Sequence, residues 1–353
     1  MPSFRRSHII LALLSPALFI VVVEVALWAL DVSPAFPNRF FVFNRNFDYP
    51  EVFKRDPEVF WRLRGPQRVS SDFFAGGEYQ INSRGLRGPE LEPDSGGPII
   101  AVLGNSCAFG WQTPEDSVFI RVVRQKLNDL STDIRYQALN AGIPGYSSFQ
   151  GNRFFATDIA HLRPAVTLIL FAWNDQWPAA NDIPDSAQQP PSAFVTALVN
   201  TISRLRVYRT IRAATLKASD PPLDSVLSRT GAQRRVSLDE FRANLQEICH
   251  RVREADGLPV LLTSPIPALE LYYPANRVSP LHERHAQYNL VIRRLAFDEG
   301  IELIDLAAEF DRRTDLFDDA VNDPIHFNSR GHAFAAELIV EQILPLLSHR
   351  AGE

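Results

Sequence analysis

From residue 98 to the C-terminus, short apolar runs rich in β-branched residues alternate with longer amphipathic stretches. The runs span 99–103, 134–139, 166–171, 259–263 and 301–304. They lack the polar alternation of a strand wet on one side, so each is expected to be a strand covered on both faces. The stretches 117–130, 238–256, 281–300 and 328–347 place apolar residues three and four apart, and Ser237 with Glu240 has the spacing of a capping box. Strand and helix in regular alternation predict one three-layer α/β/α, flavodoxin-like domain over 98–350, built on a five-stranded parallel sheet. Ligands bind such sheets beyond the carboxyl ends of the strands, where Ser106, Gly142 and Asn174 all fall.

The residues at those ends carry chemistry. Gly104-Asn105-Ser106 follows the first run, and Asp323-Pro324-Ile325-His326 stands just before the last amphipathic stretch. A serine needs a base to take its proton, and an imidazole can do so because it changes charge near neutrality. Proline favours the second position of a tight turn and aspartate the first, so the Asp323 carboxylate is expected to fold back towards His326. Alanine at 108 rules out the G-x-S-x-G elbow.

Four blocks in this order resemble those of the SGNH (GDSL-type) hydrolases: Gly104-Asn105-Ser106, Asn140-Ala141-Gly142, Trp173-Asn174-Asp175 and Asp323-Pro324-Ile325-His326. The likeness runs from about residue 98 to 347. The segment Ile81-Asn-Ser-Arg-Gly-Leu-Arg-Gly-Pro-Glu90 is similar to a lead-in of membrane-anchored or secreted bacterial members. The resemblance implies Ser106 as nucleophile, His326 as base and Asp323 as its orienting partner. It also implies an oxyanion hole of the Ser106 and Gly142 N–H groups with the Asn174 side chain. Asn105 departs from the pattern, since the family usually has aspartate there; weakened support of the loop is expected, with the nucleophile retained. Asp175 is read as structural.

Composition narrows the partners. The 353 residues are 46% hydrophobic and 22% charged with a net charge of -5, enough for a large core and without a basic footprint for nucleic acid. Cys107 and Cys249 are too few for a disulfide framework and are read as small buried residues. His282-Glu-Arg-His285 is not H-E-x-x-H and is read as a solvated helix face, while His161, His250, His332 and His349 are scattered. Without a ligand set or a phosphate-cradling glycine loop, no metal or cofactor is expected.

The N-terminal segment 9–30 has only Ser15 and Glu24 as polar side chains, and its length matches the ~30 Å of a bilayer core. Arg5 and Arg6 precede it and Asp31 follows, which places residues 1–8 in the cytoplasm and the bulk outside an inner membrane. The same segment can be read as a cleaved signal, with Ser33-Pro-Ala35 as a weak site. Residues 31–97 read as an irregular extension with short strands at 40–43, 58–61 and 78–81, a turn at 82–85 and a break at 94–98. Residues 177–236 interrupt the alternation as an insertion, favoured as a cap over the site, with Trp111, Trp173 and Trp177 either holding substrate or only packing. The expected activity is an extracytoplasmic esterase acting on an acylated carbohydrate or lipid. An O-acyltransferase with the same triad and a catalytically silent envelope component are the alternatives.

Overall fold

The computed structural model describes residues 6–32, 49–70, 77–92, 97–179, 182–216, 233–271, 275–320 and 323–351. The expected strand at 40–43, the candidate cleavage site at 33–35 and most of the break at 94–98 lie outside them. The chain opens with α1 (Arg6–Ala29). Among the described residues no helix is long and apolar enough to cross a membrane. The spanning anchor expected over 9–30 is thus not found among the described helices; of the side chains of α1, those from Leu14 onward are described.

The extension is more regular than its sequence suggests. β1 (Phe53–Asp56) pairs antiparallel with β2 (Phe60–Leu63), and β3 (Gln67–Ser70) with β4 (Glu78–Ile81). The second hairpin is stitched to the main sheet through Arg87, which bridges Ile81 on one side and Asn140 on the other. Phe53, Trp61, Leu63, Tyr79 and Ile81 are buried in the same apolar cluster as the sheet.

The main sheet holds β5 (Ile99–Gly104), β6 (Gln137–Gly142), β7 (Val166–Leu170), β8 (Leu258–Leu262) and β9 (Glu302–Ile304). Their order is β6-β5-β7-β8-β9 and every pairing is parallel, so the expected five-stranded sheet forms. Every residue of Val166–Leu170 is buried, as a strand sandwiched between helices requires. Register sets Gly104 level with Gly142 and Leu170. Three loops therefore leave the sheet at one height, which gathers the site.

The helices are α2 (Ser106–Phe109), α3 (Phe119–Leu130), α4 (Ser148–Phe154), α5 (Ala193–Ile202), α6 (Arg206–Leu216), α7 (Leu238–Glu254), α8 (Ala275–Glu299), α9 (Leu306–Glu309) and α10 (Ser329–Ala351). On one face Phe241, Leu245 and Ile248 of α7 with Tyr288 and Ile292 of α8 cover Leu103, Leu139 and Ile169. On the other, Val123 and Leu127 of α3 with Ala335 and Ile339 of α10 cover Val102, Leu168 and Val260. Each large apolar side chain so buried stabilises the fold by roughly 1.5–3 kcal/mol. The capping box at Ser237 and Glu240 starts α7 as expected.

The last strands, β10 (Phe317–Asp319) and β11 (Asp323–Phe327), form an antiparallel hairpin beside the sheet. The Asp323–His326 motif is therefore strand and not the tight turn its proline suggests. Asp323 still curls back, its Oδ1 accepting the N–H groups of Ile325 and His326 at 3.3 Å each.

Candidate active site

Ser106 begins α2 directly after β5. Asn105 caps that helix, its Oδ1 accepting the Cys107 N–H at 2.9 Å. An aspartate would accept the same bond, so the exchange keeps the cap; the Asn105 Nδ2 is buried without a hydrogen-bond partner among the described residues. As the first helical residue, Ser106 has an N–H with no intrahelical acceptor, ready for an oxygen arriving from outside.

The strand-borne histidine meets this serine. His326 Nδ1 lies 2.8 Å and 2.9 Å from the two carboxylate oxygens of Asp323, and its Nε2 lies 2.7 Å from Ser106 Oγ. A carboxylate only accepts, so Nδ1 carries the proton and Nε2 is left to accept from the Ser106 hydroxyl. Asp323 and His326 are buried, whereas Ser106 is half-buried and reachable. Cys107 Sγ donates to the Ile325 carbonyl at 3.3 Å and Thr113 Oγ1 to that of Phe327 at 3.4 Å, which ties α2 to β11 and fixes the gap between serine and histidine. Burial raises the Cys107 thiol well above its usual value, in keeping with the packing role read for it. The Trp111 ring stacks on His326 at 5.5 Å.

The far end of α2 is held by the lead-in. Arg87 is buried, with Nη1 donating to the carbonyls of Phe109 and Gly110, Nη2 to that of Thr113, and Nε to Glu115 at 2.9 Å. Its guanidinium lies 4.4 Å over the Tyr79 ring. Nothing in the sequence beyond the lead-in motif marked this residue.

The oxyanion side differs from expectation in one respect. The Gly142 N–H donates to Asn140 Oδ1 at 2.9 Å, so it already has a partner. A Cβ at Gly142 would stand 2.3 Å from Phe109 N, so this glycine lets α2 approach the sheet. The next glycine, Gly145, sits at φ +85° in a turn closed by the Tyr146 N–H donating to Ile143, and its own N–H has no partner among the described residues. The Pro144-Gly145 pair was the sequence signal for it. Asn174 Nδ2 donates to the Tyr146 carbonyl at 2.9 Å, which sets the amide beside this turn with its second hydrogen left over.

Long-range bonds hold the turn. Trp61 Nε1 donates to Pro144 at 3.1 Å and Tyr146 Oη to the Trp61 carbonyl at 2.6 Å. Arg235 Nη1 donates to the Gly145 carbonyl at 2.8 Å, and its Nη2 pairs with the buried Asp185 at 2.8 Å. Asp175 accepts the Ser148 N–H at 2.7 Å and the Ala172 N–H at 3.2 Å, the structural role read for it. Burial outweighs these bonds and pushes its carboxyl up to about 6.

One further reading needs correction. His285 is not on a solvated face: it is fully buried, takes a hydrogen bond at Nδ1 from Gln176, and donates from Nε2 to the Ser264 carbonyl at 2.7 Å. Burial pulls it down to about 4. His332 is equally buried, accepts the Phe119 N–H at the start of α3, and is pulled down to about 3. Trp173 is buried against His285 and Trp177, which makes it packing. In the insertion, α5 packs on β1 and α6 on α1, while residues 180–181 and 217–232, which also belong to the expected cap, lie outside the described structure.

A doubly wound parallel sheet with a serine at its first strand end and an Asp-x-x-His pair at its rim defines a class, the serine hydrolases of α/β architecture. The GDSL-like lipase/acylhydrolase family matches residues 102–334, and the chain belongs to that family as an esterase/acylhydrolase. Among solved structures it is similar to the lipase/acylhydrolase from Enterococcus faecalis, at 17% identity over 70% of this chain and 95% of that one, with a TM-score of 0.46. It is also similar to Axe2, an acetylxylan esterase from Geobacillus stearothermophilus, at 16% identity over 72% and 96% of the two chains, with a TM-score of 0.44. No curated protein matches it.

Proposed function

We propose that the chain hydrolyses acyl esters of an envelope carbohydrate or lipid through an acyl-enzyme on Ser106. The observation that carries this reading is the continuous hydrogen-bonded series from Asp323 through His326 to Ser106 Oγ. Ser106 Oγ attacks the ester carbonyl while His326 Nε2 takes its proton, and Asp323 holds the imidazolium that forms. The alkoxide leaves with that proton, giving free alcohol and acyl-serine. Water then attacks with His326 again as base, which releases the acid and restores the serine. Donors for the oxyanion are the Ser106 N–H, the spare amide hydrogen of Asn174 and the Gly145 N–H, the last in place of Gly142.

Hydrolysis is preferred to transfer because Ser106 is only half-buried, which gives water access to the acyl-enzyme. The formed series also argues against a silent component. An extracytoplasmic site at the envelope belongs to the same proposal; its support is the flank Arg5-Arg6 before an apolar segment and the exposed Leu18, Phe19, Val22 and Trp28 on α1. A periplasm-dependent reporter fused after Glu353 is expected to be active, and its silence would reject the location. For the chemistry, an aryl ester is supplied with and without an envelope-type oligosaccharide. Free acid should dominate in both and vanish in Ser106→Ala; acylated sugar as the main product would establish transfer instead.

A further inference from the structure

Away from the active site, a cavity of about 470 Å³ lies between the lead-in hairpins and the α5–α6 link. Its wall carries Lys54, Arg64, Arg204 and Arg209 against a single carboxylate, Glu51, which pairs with Arg209 at 3.6 Å. Lys54 and Arg204 have no carboxylate partner among the described residues. Arg64 is pinned by carbonyls instead, with Nε donating to Pro50 at 2.7 Å and Phe53 at 3.1 Å and Nη2 to Asn200 at 3.3 Å. Burial, and then the neighbouring Arg204 charge, lower its basicity. Lys54 and Arg204 are exposed, and like charges gathered in one place repel one another, which a bound anion would relieve. Among the described residues Glu51 is the one carboxylate that lines it, and the volume falls in the range of small-ligand sites.

The helix beside the cavity is turned inside out. Thr196 and Ser203 of the α5 region are buried, and Asn200 bonds the backbone of Arg55 in both directions, accepting its N–H at 2.7 Å and donating to its carbonyl at 2.9 Å. Phe194, Val195 and Leu198 face outward, with Phe194 77% exposed. A helix that sends its polar side to the protein and its apolar side away is arranged for a lipid boundary. Its neighbour α6 is clamped to the apolar α1: the Glu24 carboxylate accepts the Arg206 and Val207 N–H groups at 2.8 Å and 3.0 Å, and Arg206 Nη1 donates to the carbonyls of Leu27 and Val32. Glu24, the odd charge of the N-terminal segment, is thus the cap of another helix.

We propose that this cavity binds the phosphate of an anionic lipid headgroup, with the outward face of α5 in the acyl boundary beside it. Lys54 and Arg204 meet the phosphate, and Phe194 and Leu198 distinguish a lipid from a free anion. The site holds the hydrolase against an anionic membrane face and takes no part in ester cleavage, so it stands whether or not the reading of Ser106 does.

The test uses the full chain in neutral-detergent micelles, titrated with short-chain phosphatidylglycerol, short-chain phosphatidylcholine or inorganic phosphate, with bound ligand read by native mass spectrometry. Phosphatidylglycerol should bind about thirtyfold more tightly than phosphatidylcholine, on the scale of two basic side chains at an anionic surface. The double variant Lys54→Gln/Arg204→Gln should lose that preference. Phe194→Ser/Leu198→Ser should weaken both lipids and leave phosphate unaffected. Aryl-ester turnover, unchanged in both variants, reports that they fold. Equal binding of the two lipids, a preference that survives Lys54→Gln/Arg204→Gln, or inorganic phosphate binding as tightly as the lipid would each overturn the proposal.

Discussion

The two halves of the active site are built on different principles. On the nucleophile side two short local motifs meet: Asp323 and His326 are three residues apart on one strand, Asn105 caps the helix that Ser106 begins, and His326 Nε2 joins the two at 2.7 Å from Ser106 Oγ. On the oxyanion side the Gly145 turn is held by Trp61, Arg235 and Asn174, from a lead-in strand, the far end of the insertion and the end of β7. Each of these motifs is shaped by bonds between near neighbours in sequence, whereas the turn is held by bonds from three distant parts of the domain. Damage to the first half should therefore remove chemistry and leave stability, while damage to the second should cost both.

The largest separation is expected for Asp323→Asn, which offers His326 an amide in place of an acceptor-only carboxylate. Turnover of an aryl ester should fall by about 10⁴ with little change in the urea midpoint. A comparable loss of stability would break the contrast. Arg235→Met attacks the other half. It strands the buried Asp185 carboxylate and should cost about 3–5 kcal/mol of stability. Denaturant unfolding measures that cost, and the double change Arg235→Met/Asp185→Leu should recover part of it because no lone charge remains.

Asn174→Ala comes next, removing both a donor for the oxyanion and the bond to Tyr146. The expected loss is about 10² to 10³ in kcat. A smaller loss would mean that the backbone donors suffice. The smallest effect is on pH. His285 and His332 have folded values of about 4 and about 3, below the unfolded 6.5, so each takes up a proton on unfolding. Their stabilisation is complete above pH 6.5 and is lost as the pH falls through the folded values. Asp175 works the other way, because its folded value of about 6 lies above 3.8 and its contribution grows on acidification. Between pH 6 and 4 the two histidines outweigh one aspartate, so stability should fall by roughly 1.4 kcal/mol per pH unit. Unfolding midpoints at pH 6 and pH 5 check the sign, and a rise on acidification would reject this assignment.

This contrast also explains what was legible in the sequence. The buried strands read clearly because β5, β7 and β8 are continuous apolar runs, and Ser106, His326 and Asp323 because each sits in a short motif. The hairpins of the lead-in were harder: β1 reads Phe-Lys-Arg-Asp and β3 Gln-Arg-Val-Ser, with charge where a strand signal should be. Their burial comes from the partner sheet, which local periodicity does not report. Arg87 and Trp61 were missed as supports because their acceptors lie 22 to 26 and 83 residues away. His285 was misread because its polar neighbours His282, Glu283 and Arg284 suggest a wet surface, whereas helical phase turns this one position into the core. Gly142 was named as an oxyanion donor because sequence does not reveal that Asn140 already takes its N–H.

The central claim is that Ser106 is activated by His326 and forms the covalent intermediate. Treatment of the full chain with a serine-directed phosphonate, followed by peptide mass spectrometry, tests it most directly. One adduct on the peptide containing Ser106, absent in Ser106→Ala and strongly slowed in His326→Ala, is the predicted result. An adduct at another serine, or ester turnover that persists in a folded Ser106→Ala protein, would contradict the account.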